Sequence, residues 1–410
     1  MVEYILSNTN KECLLLSRDF TYIEVLNNEF LPYPLKDFIQ TTSAQDFKKS
    51  LKDISVVRDY LAARTLNLSR ENAKAILNVA SMPQSLRTDD RLKIVFACRG
   101  LTMEDNFWIK KAGETLSFKD VNLRERQLSE HSYDVAILGR HISATIEEIT
   151  PDLMTQGMFP KFWRRAGSEI EMWKTDKTNG VNARAEVTSS QILKASGYSN
   201  LTEYRKEEAD GFTFSVSKCF TDNDYSLVTA TDLTDWCAHT GQKLMTVLEP
   251  FRHQFADMCM IDYVLANTDR HADNWGVLVD NSTNKIARFA PIYDMNQSLI
   301  ADEFNTNIDI QIYEPTGKSF KDSVEQYKSE SRIQFNTTVL PEPCKDRLAR
   351  AHNYQAIEPR GHKGMPRSPK DVPEIIADAD KMRASEHNSK TAGINHTEHK
   401  KKESRGPGDN

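Results

Sequence analysis

Residues 266–275 read Ala266-Asn-Thr-Asp-Arg-His-Ala-Asp-Asn-Trp275, and their flanks decide how the chain folds. Upstream, Phe255, Met258, Ile261 and Leu265 recur at helical spacing after Pro250, which predicts a long helix. Downstream, Trp275 to Val279 and Lys285 to Ala290 are strand-like, and Asp280-Asn-Ser-Thr-Asn284 is the turn between them. Pro291-Ile-Tyr-Asp294 comes next. The order is helix, polar loop, hairpin, acidic residue. A hairpin return is the shortest way for the chain to bring Asn274 and Asp294 together.

Asn274 and Asp294 supply hard oxygens suited to Mg²⁺, which completes its shell with waters and substrate phosphates. Asp269 is then free to orient a nucleophilic hydroxyl and accept its proton. This is the spacing of a kinase catalytic loop, Asp-x-x-x-x-Asn, followed by a metal-binding Asp. The spacing alone does not decide, because Asp and Asn also cap helices and hold turns. The preceding helix and the hairpin ending at Asp294 give it its weight. A metal set of Asp269, His271 and Asp273 has the alternation of a strand, but the segment follows a helix and no distant His partner is in sight. Gly317-Lys-Ser319 invites a phosphate-loop reading, yet the first glycine that motif requires would fall at Ile312.

Working outward, Ile170-Glu-Met-Trp-Lys174 alternates like a strand. Ala183 to Ala195 has helical spacing through Val187, Ile192 and Leu193, and Phe212 to Lys218 alternates again. The first 120 or so residues read as a small α+β region. Strands are expected at Tyr4 to Leu6, Cys13 to Leu16 and Tyr22 to Val25, and helices at Phe47 to Ala63 and Ala73 to Val79. Two adjacent helices invite a helix-turn-helix reading, but no basic recognition face is visible. The last 55 residues, 356–410, contain no Phe, Trp, Tyr or Leu and mix eleven basic with nine acidic residues. Such a segment buries too little apolar area to offset its ordering entropy and predicts a disordered tail.

The chain has 410 residues, 39% hydrophobic and 27% charged, with a net charge of −6. That length suggests about two to three domains, and the mildly acidic balance argues against a large nucleic-acid surface. No run approaches the ~18 apolar residues of a membrane span. Met1 to Asp19 lacks the basic and long apolar parts of a signal peptide. The six cysteines form no close pair, which suits a reducing compartment. A cytoplasmic enzyme or binding protein is expected.

With these motifs in view, Asn267-Thr-Asp-Arg-His-Ala-Asp-Asn274 together with Ala290-Pro-Ile-Tyr-Asp294 resembles the HipA-like kinases, bacterial Ser/Thr kinases best known as toxins of toxin–antitoxin pairs. The same run also resembles type II phosphatidylinositol 4-kinases. The resemblance covers roughly residues 100–330 and implies a two-lobed protein-kinase-like fold. It implies that Lys174 contacts the nucleotide phosphates and pairs with Glu186. It makes Thr155-Gln-Gly-Met-Phe-Pro-Lys161 the phosphate-covering loop, with Gly157 and Lys161 at matching positions and Thr155 nearest the hydroxyl that the family can autophosphorylate. Ser217-Lys-Cys-Phe-Thr221, with Lys218 and Phe220, matches the hinge that binds adenine, and His271 could orient Asp269 or the phosphates. The N-terminal 100 residues match well-studied members poorly, although Asp105-Asn-Phe-Trp108 resembles a Gram-positive HipA-like subgroup.

The expectation is an α+β, two-lobed kinase. It comprises an N-terminal α+β module (1–100), an N-lobe (101–220), a mostly helical C-lobe (221–355) and a tail (356–410). Its function is ATP- and Mg²⁺-dependent transfer to a protein Ser/Thr, with an antitoxin or DNA-binding protein as partner and no membrane. Asp269 is the catalytic residue. Lys174, Glu186, Gly157, Lys161, Lys218, Phe220 and His271 bind the cofactor, and Asn274 and Asp294 bind the metal. A lipid or small-molecule kinase and a non-catalytic pseudokinase are the alternatives.

Overall fold

The structure is a computed structural model that describes residues 3–39, 47–79, 82–85, 87–140, 155, 157–176, 179–301 and 306–353. The expected tail lies outside the described residues. The chain begins with strands β1 (Glu3–Asn8), β2 (Lys11–Ser17) and β3 (Ile23–Val25), then helices α1 (Phe47–Ala63), α2 (Ala73–Val79) and α3 (Thr88–Ala97), then β4 (Phe107–Lys111). These strands form one antiparallel sheet in the order β3-β2-β1-β4. Tyr4, Leu6, Leu14 and Leu16 bury one core with Val57 and Leu61 of α1 and Leu92 and Val95 of α3. So α1 packs on α3, while α2 packs with α5 (Ser132–Ala136), which follows α4 (Phe118–Val121). The two helices that suggested a helix-turn-helix are not packed as one.

The sheet of this first module takes in β4 and therefore runs past residue 100. Nor is its core closed. Ala73, Ile76 and Leu77 of α2 and Val135 and Ala136 of α5 share a cluster with Phe162, Phe214 and Val216 of the next sheet.

That next sheet is antiparallel in the order β5-β6-β8-β7, from β5 (Lys161–Ala166), β6 (Glu169–Lys174), β7 (Tyr204–Ala209) and β8 (Phe212–Lys218). Helix α6 (Val181–Ala195) lies between β6 and β7 in sequence and packs on β7 and β8. It begins two residues before the expected start, because Asp176 accepts the Gly180 and Ala183 N–H groups at 3.0 and 2.9 Å. Gly180 sits at φ +75°, where a Cβ would collide with Thr213.

A three-stranded sheet, β11-β10-β9, opens the second lobe, from β9 (Tyr225–Thr229), β10 (Gly276–Asp280) and β11 (Lys285–Phe289). Helices α7 (Ala230–Thr240), α8 (Leu244–Val247) and α9 (Arg252–Val264) lie between β9 and β10 in sequence. After β11 come a short ribbon, β12 (Ile312–Tyr313) with β13 (Lys318–Ser319), and helices α10 (Phe320–Tyr327) and α11 (Glu342–Asn353). Every residue of α9 from Phe255 to Val264 is buried. A helix buried on all faces is the centre of its lobe, and this one ends where the 266–275 loop begins. Ser319 caps α10, its hydroxyl accepting the Asp322 N–H at 3.1 Å, so Gly317-Lys-Ser319 is a turn into a helix.

Candidate active site

Two strands and one helix bring the first cluster together. Lys161 and Lys174 are directly opposite each other on β5 and β6, and both are buried. Like charges at such a pair repel, so anionic groups must lie nearby. Lys174 Nζ donates to Glu186 Oε1 of α6 at 2.7 Å and to Asp294 Oδ1 at 2.8 Å. The other Glu186 oxygen accepts the Ser215 hydroxyl at 2.6 Å. Burial opposes the Lys174 charge, but Asp294 and Glu186 outweigh it and hold the ammonium well above the lysine range. Burial likewise opposes the charge of Asp294, yet Lys174 and Lys161 pull that carboxyl down to about 2. Glu186 has no exposure, and burial drives its proton affinity up. Lys161 is pushed down to about 8 by burial first and then by Lys174.

The second cluster hangs from the C-terminal end of α9. Asp262, fully buried, accepts from Arg270 Nε at 2.9 Å, Asn267 Nδ2 at 2.9 Å and the Tyr313 hydroxyl at 2.6 Å. Arg270 in turn donates to the carbonyls of Asn274 and Tyr293, both at 2.6 Å. One buried arginine thus ties the 266–275 loop to the end of the hairpin. Asp294 occupies the left-handed region, φ +53°, unusual for a residue with a side chain. Its neighbours hold it there: Arg270 grips the preceding carbonyl, and the Tyr204 hydroxyl accepts the Asp294 N–H at 3.4 Å.

Asp269 is half-buried, and its carboxylate has no hydrogen-bond partner among the described residues. Burial raises its proton affinity, partly offset by His271. Asn274 Nδ2 donates to the Asp269 carbonyl at 2.8 Å, which leaves Asn274 Oδ1 unengaged among the described residues, as is Asp294 Oδ2. These two hard oxygens fit a Mg²⁺ ion that takes the rest of its shell from phosphates and water. Among the described residues no group of three or more His, Cys, Asp or Glu side chains could hold a metal by itself. That leaves Asp269, His271 and Asp273 without support as a metal set. The His271 ring instead accepts the Asp273 N–H through Nδ1 at 3.3 Å.

The remaining expected residues fall around this centre. Gly157 has φ +97°, and a Cβ there would meet the Lys161 ammonium, so the backbone at 157 lies close beside that charge. Thr155 Oγ1 accepts the Trp163 indole N–H at 2.8 Å. Phe220 lies against Tyr293, with ring centroids 5.2 Å apart. Lys218 points elsewhere: its exposed side chain pairs with Glu169 at 3.6 Å. Tyr204, Ser215, Asp262 and Tyr293 were not read from sequence as part of the site. Only Tyr293 had a local signal, as the residue before Asp294.

The arrangement gathers a lysine pair and a helix carboxylate around Asp294, with Asp269 and Asn274 on the loop that Arg270 ties to it. The HipA of Shewanella oneidensis MR-1, solved with HipB and its operator DNA, is 12% identical. It matches over 91% of this chain and 94% of that one with a TM-score of 0.50. The chain has the HipA-like kinase fold. A crystal structure of CtkA, a Helicobacter pylori proinflammatory kinase, is 18% identical, covering 56% of this chain and 89% of that one, with a TM-score of 0.36. The family model for phosphatidylinositol 3- and 4-kinase matches residues 115–312, just under half of the chain. No curated protein matches. Each candidate site residue named above, from Thr155 to Asp294, falls inside the matched region.

Proposed function

We propose that this chain is an ATP- and Mg²⁺-dependent protein serine/threonine kinase of the HipA-like type. The observation that carries the reading is Lys174, bonded at once to Glu186 of α6 and to Asp294 beyond the hairpin. That bridge closes the two lobes around one point, where two opposed lysines await a polyanion. In this reading Lys161 and Lys174 hold the phosphates beneath the Gly157 loop, and the 217–221 segment with Phe220 holds the adenine. Asn274 and Asp294 hold Mg²⁺, which neutralises developing charge on the transferring phosphoryl group. Asp269 orients the acceptor hydroxyl and takes its proton. Most of the acceleration then comes from placement and fixed charge.

Lobes meeting near residues 218–221, an N-terminal module and a C-terminal tail complete the proposed division of the chain. No described helix is long and apolar enough to cross a membrane. The matched phosphatidylinositol kinase domain lends support to a second reading, transfer to a lipid headgroup. A toxin role, with an antitoxin or DNA-binding partner and a cytoplasmic location, is the form the HipA likeness suggests.

The test is radiolabel transfer from ATP with Mg²⁺, offered the protein itself, cytosolic extract and phosphatidylinositol vesicles. Label on protein Ser/Thr, lost in Asp269→Asn, is the expected result. Label on the vesicles alone would replace the protein-kinase reading with the lipid one. ATP binding without any transfer would make the chain a pseudokinase. Self-labelling that persists in Thr155→Val would remove Thr155 as the modified hydroxyl.

A further inference from the structure

The N-terminal module grips the loop that is to cover the phosphates. Arg70 lies just before α2 and is 2% exposed. One end of its guanidinium donates to the Thr155 carbonyl at 3.0 Å and the other to the Lys161 carbonyl. Beside it, the Glu71 N–H donates to the Met158 carbonyl at 3.2 Å. Carbonyls 155, 158 and 161 are three points on one short stretch of chain. A trans peptide sets C=O and the following N–H on opposite sides. Holding the Met158 carbonyl toward the module therefore turns the Phe159 N–H away from it, and that N–H has no acceptor among the described residues. The module also brings charge. Arg70 is among the cations that make Lys161 harder to protonate, behind burial and Lys174. Arg70, Lys161 and Lys174 form a buried cationic group.

We propose that Arg70 is a positioning residue for phosphate binding: the N-terminal module, through Arg70 and the Glu71 N–H, sets the path of residues 157–161 and so completes the nucleotide site. This rests on the reading of 155–161 as the phosphate loop. It gives the first hundred residues a role in the reaction that family likeness does not supply, since Arg70 lies outside the matched kinase region. It also explains why the position holds an arginine. A planar fork bonds two carbonyls in fixed directions, whereas a lysine ammonium is a single point of charge.

The test uses the full chain as wild type, Arg70→Gln and Arg70→Lys, with Arg64→Lys as control. Arg64 is the module's other buried arginine and bonds Asp105 and the Gly100 carbonyl, away from the loop. Two quantities are read: amide hydrogen exchange over residues 157–162 against 181–195, and the affinities for Mg²⁺·ATP and for adenosine. In both Arg70 variants exchange should quicken in the loop and stay constant in 181–195. ATP affinity should fall about 10- to 100-fold, the size of one or two charge-assisted hydrogen bonds, with adenosine affinity unchanged. Arg64→Lys should leave the ATP-over-adenosine preference intact. Arg70→Lys keeps the charge and the stem, so it remains informative where the Gln variant fails to fold. Unchanged loop exchange, or equal losses for ATP and adenosine, would overturn the positioning role. A wild type that binds no ATP would overturn the nucleotide reading itself, and the Arg70 role with it. A wild type that prefers ATP, and an Arg70→Lys that keeps that preference in full, would overturn only the Arg70 role.

Discussion

Asp269 carries a half-buried carboxylate that nothing described hydrogen-bonds, and burial lifts its proton affinity. In the proposed reaction Asp269 works only when deprotonated, so turnover should rise with pH through a titration above that of an ordinary aspartate. Asp269→Asn should cost about 10²- to 10⁴-fold in kcat and erase that acid limb, while ATP affinity holds. Steady-state kinetics across pH checks both; a variant that keeps the limb would point to a different base. Lys161 works in the opposite direction. Its ammonium titrates at about 8 in the ligand-free protein, and phosphates favour the charged form. ATP affinity should therefore be level below pH 8 and fall above it, as binding must then bring in a proton. Lys161→Met should bind more weakly at pH 7 and lose this dependence, as calorimetry in buffers of different ionisation heat would show.

Gly276 shows how little freedom the elements have. It opens β10 directly after Asn274-Trp275 and pairs with Thr229 of β9. A Cβ there would run into the Val228 carbonyl, which is backbone and cannot swing aside. Gly276→Ala should cost about 3 kcal/mol by overpacking, read as a shift in the urea midpoint. Phosphotransfer should drop in the folded fraction too, because the strand begins two residues after Asn274. The elements were legible where their periodicity is plain. The period-2 runs at 170–174 and 212–218 and the helical spacing across 252–264 were strong because each has a plain inside and outside, or no outside at all. Strands β4, β5, β7 and β9 and the short ribbon β12–β13 were missed. Tyr204–Ala209, Tyr-Arg-Lys-Glu-Glu-Ala, is charged because it is an edge strand with both faces partly in water. Tyr225–Thr229 is short and follows a polar turn.

Across the whole molecule, the N-terminal module is fastened to both lobes. Trp236 of α7 donates to Asp37 at 3.2 Å, and Phe38 stacks on His239 at 4.0 Å. Asn284 Nδ2 donates to the Glu29 and Leu31 carbonyls at 2.7 and 2.9 Å. Thr221 and Arg124 both donate to the Met103 carbonyl beside the 217–221 segment, at 2.5 and 2.6 Å. The described residues should therefore unfold as one cooperative unit. Mg²⁺·ATP should stabilise that unit by about 2.7 kcal/mol at a hundredfold excess over Kd, a single transition moved up by a few degrees. A second transition that ignores the nucleotide would show that the module folds apart.

What the sequence determined by itself was local. Asp269, Asn274 and Asp294 lie within 26 residues of each other on a loop and a hairpin, so chain connectivity alone nearly brings them together. The Lys174–Glu186 pair came from the family resemblance, and one strand followed by one helix brings the two side chains together. The pairing of Lys174 with Asp294, 120 residues on, was decided only by the packing of the two lobes. So was the reach of Arg70 across 85 and 91 residues to Thr155 and Lys161. Such contacts leave no periodicity in the chain. An arginine that bonds two carbonyls reads in sequence like any other arginine, and only burial and geometry single it out.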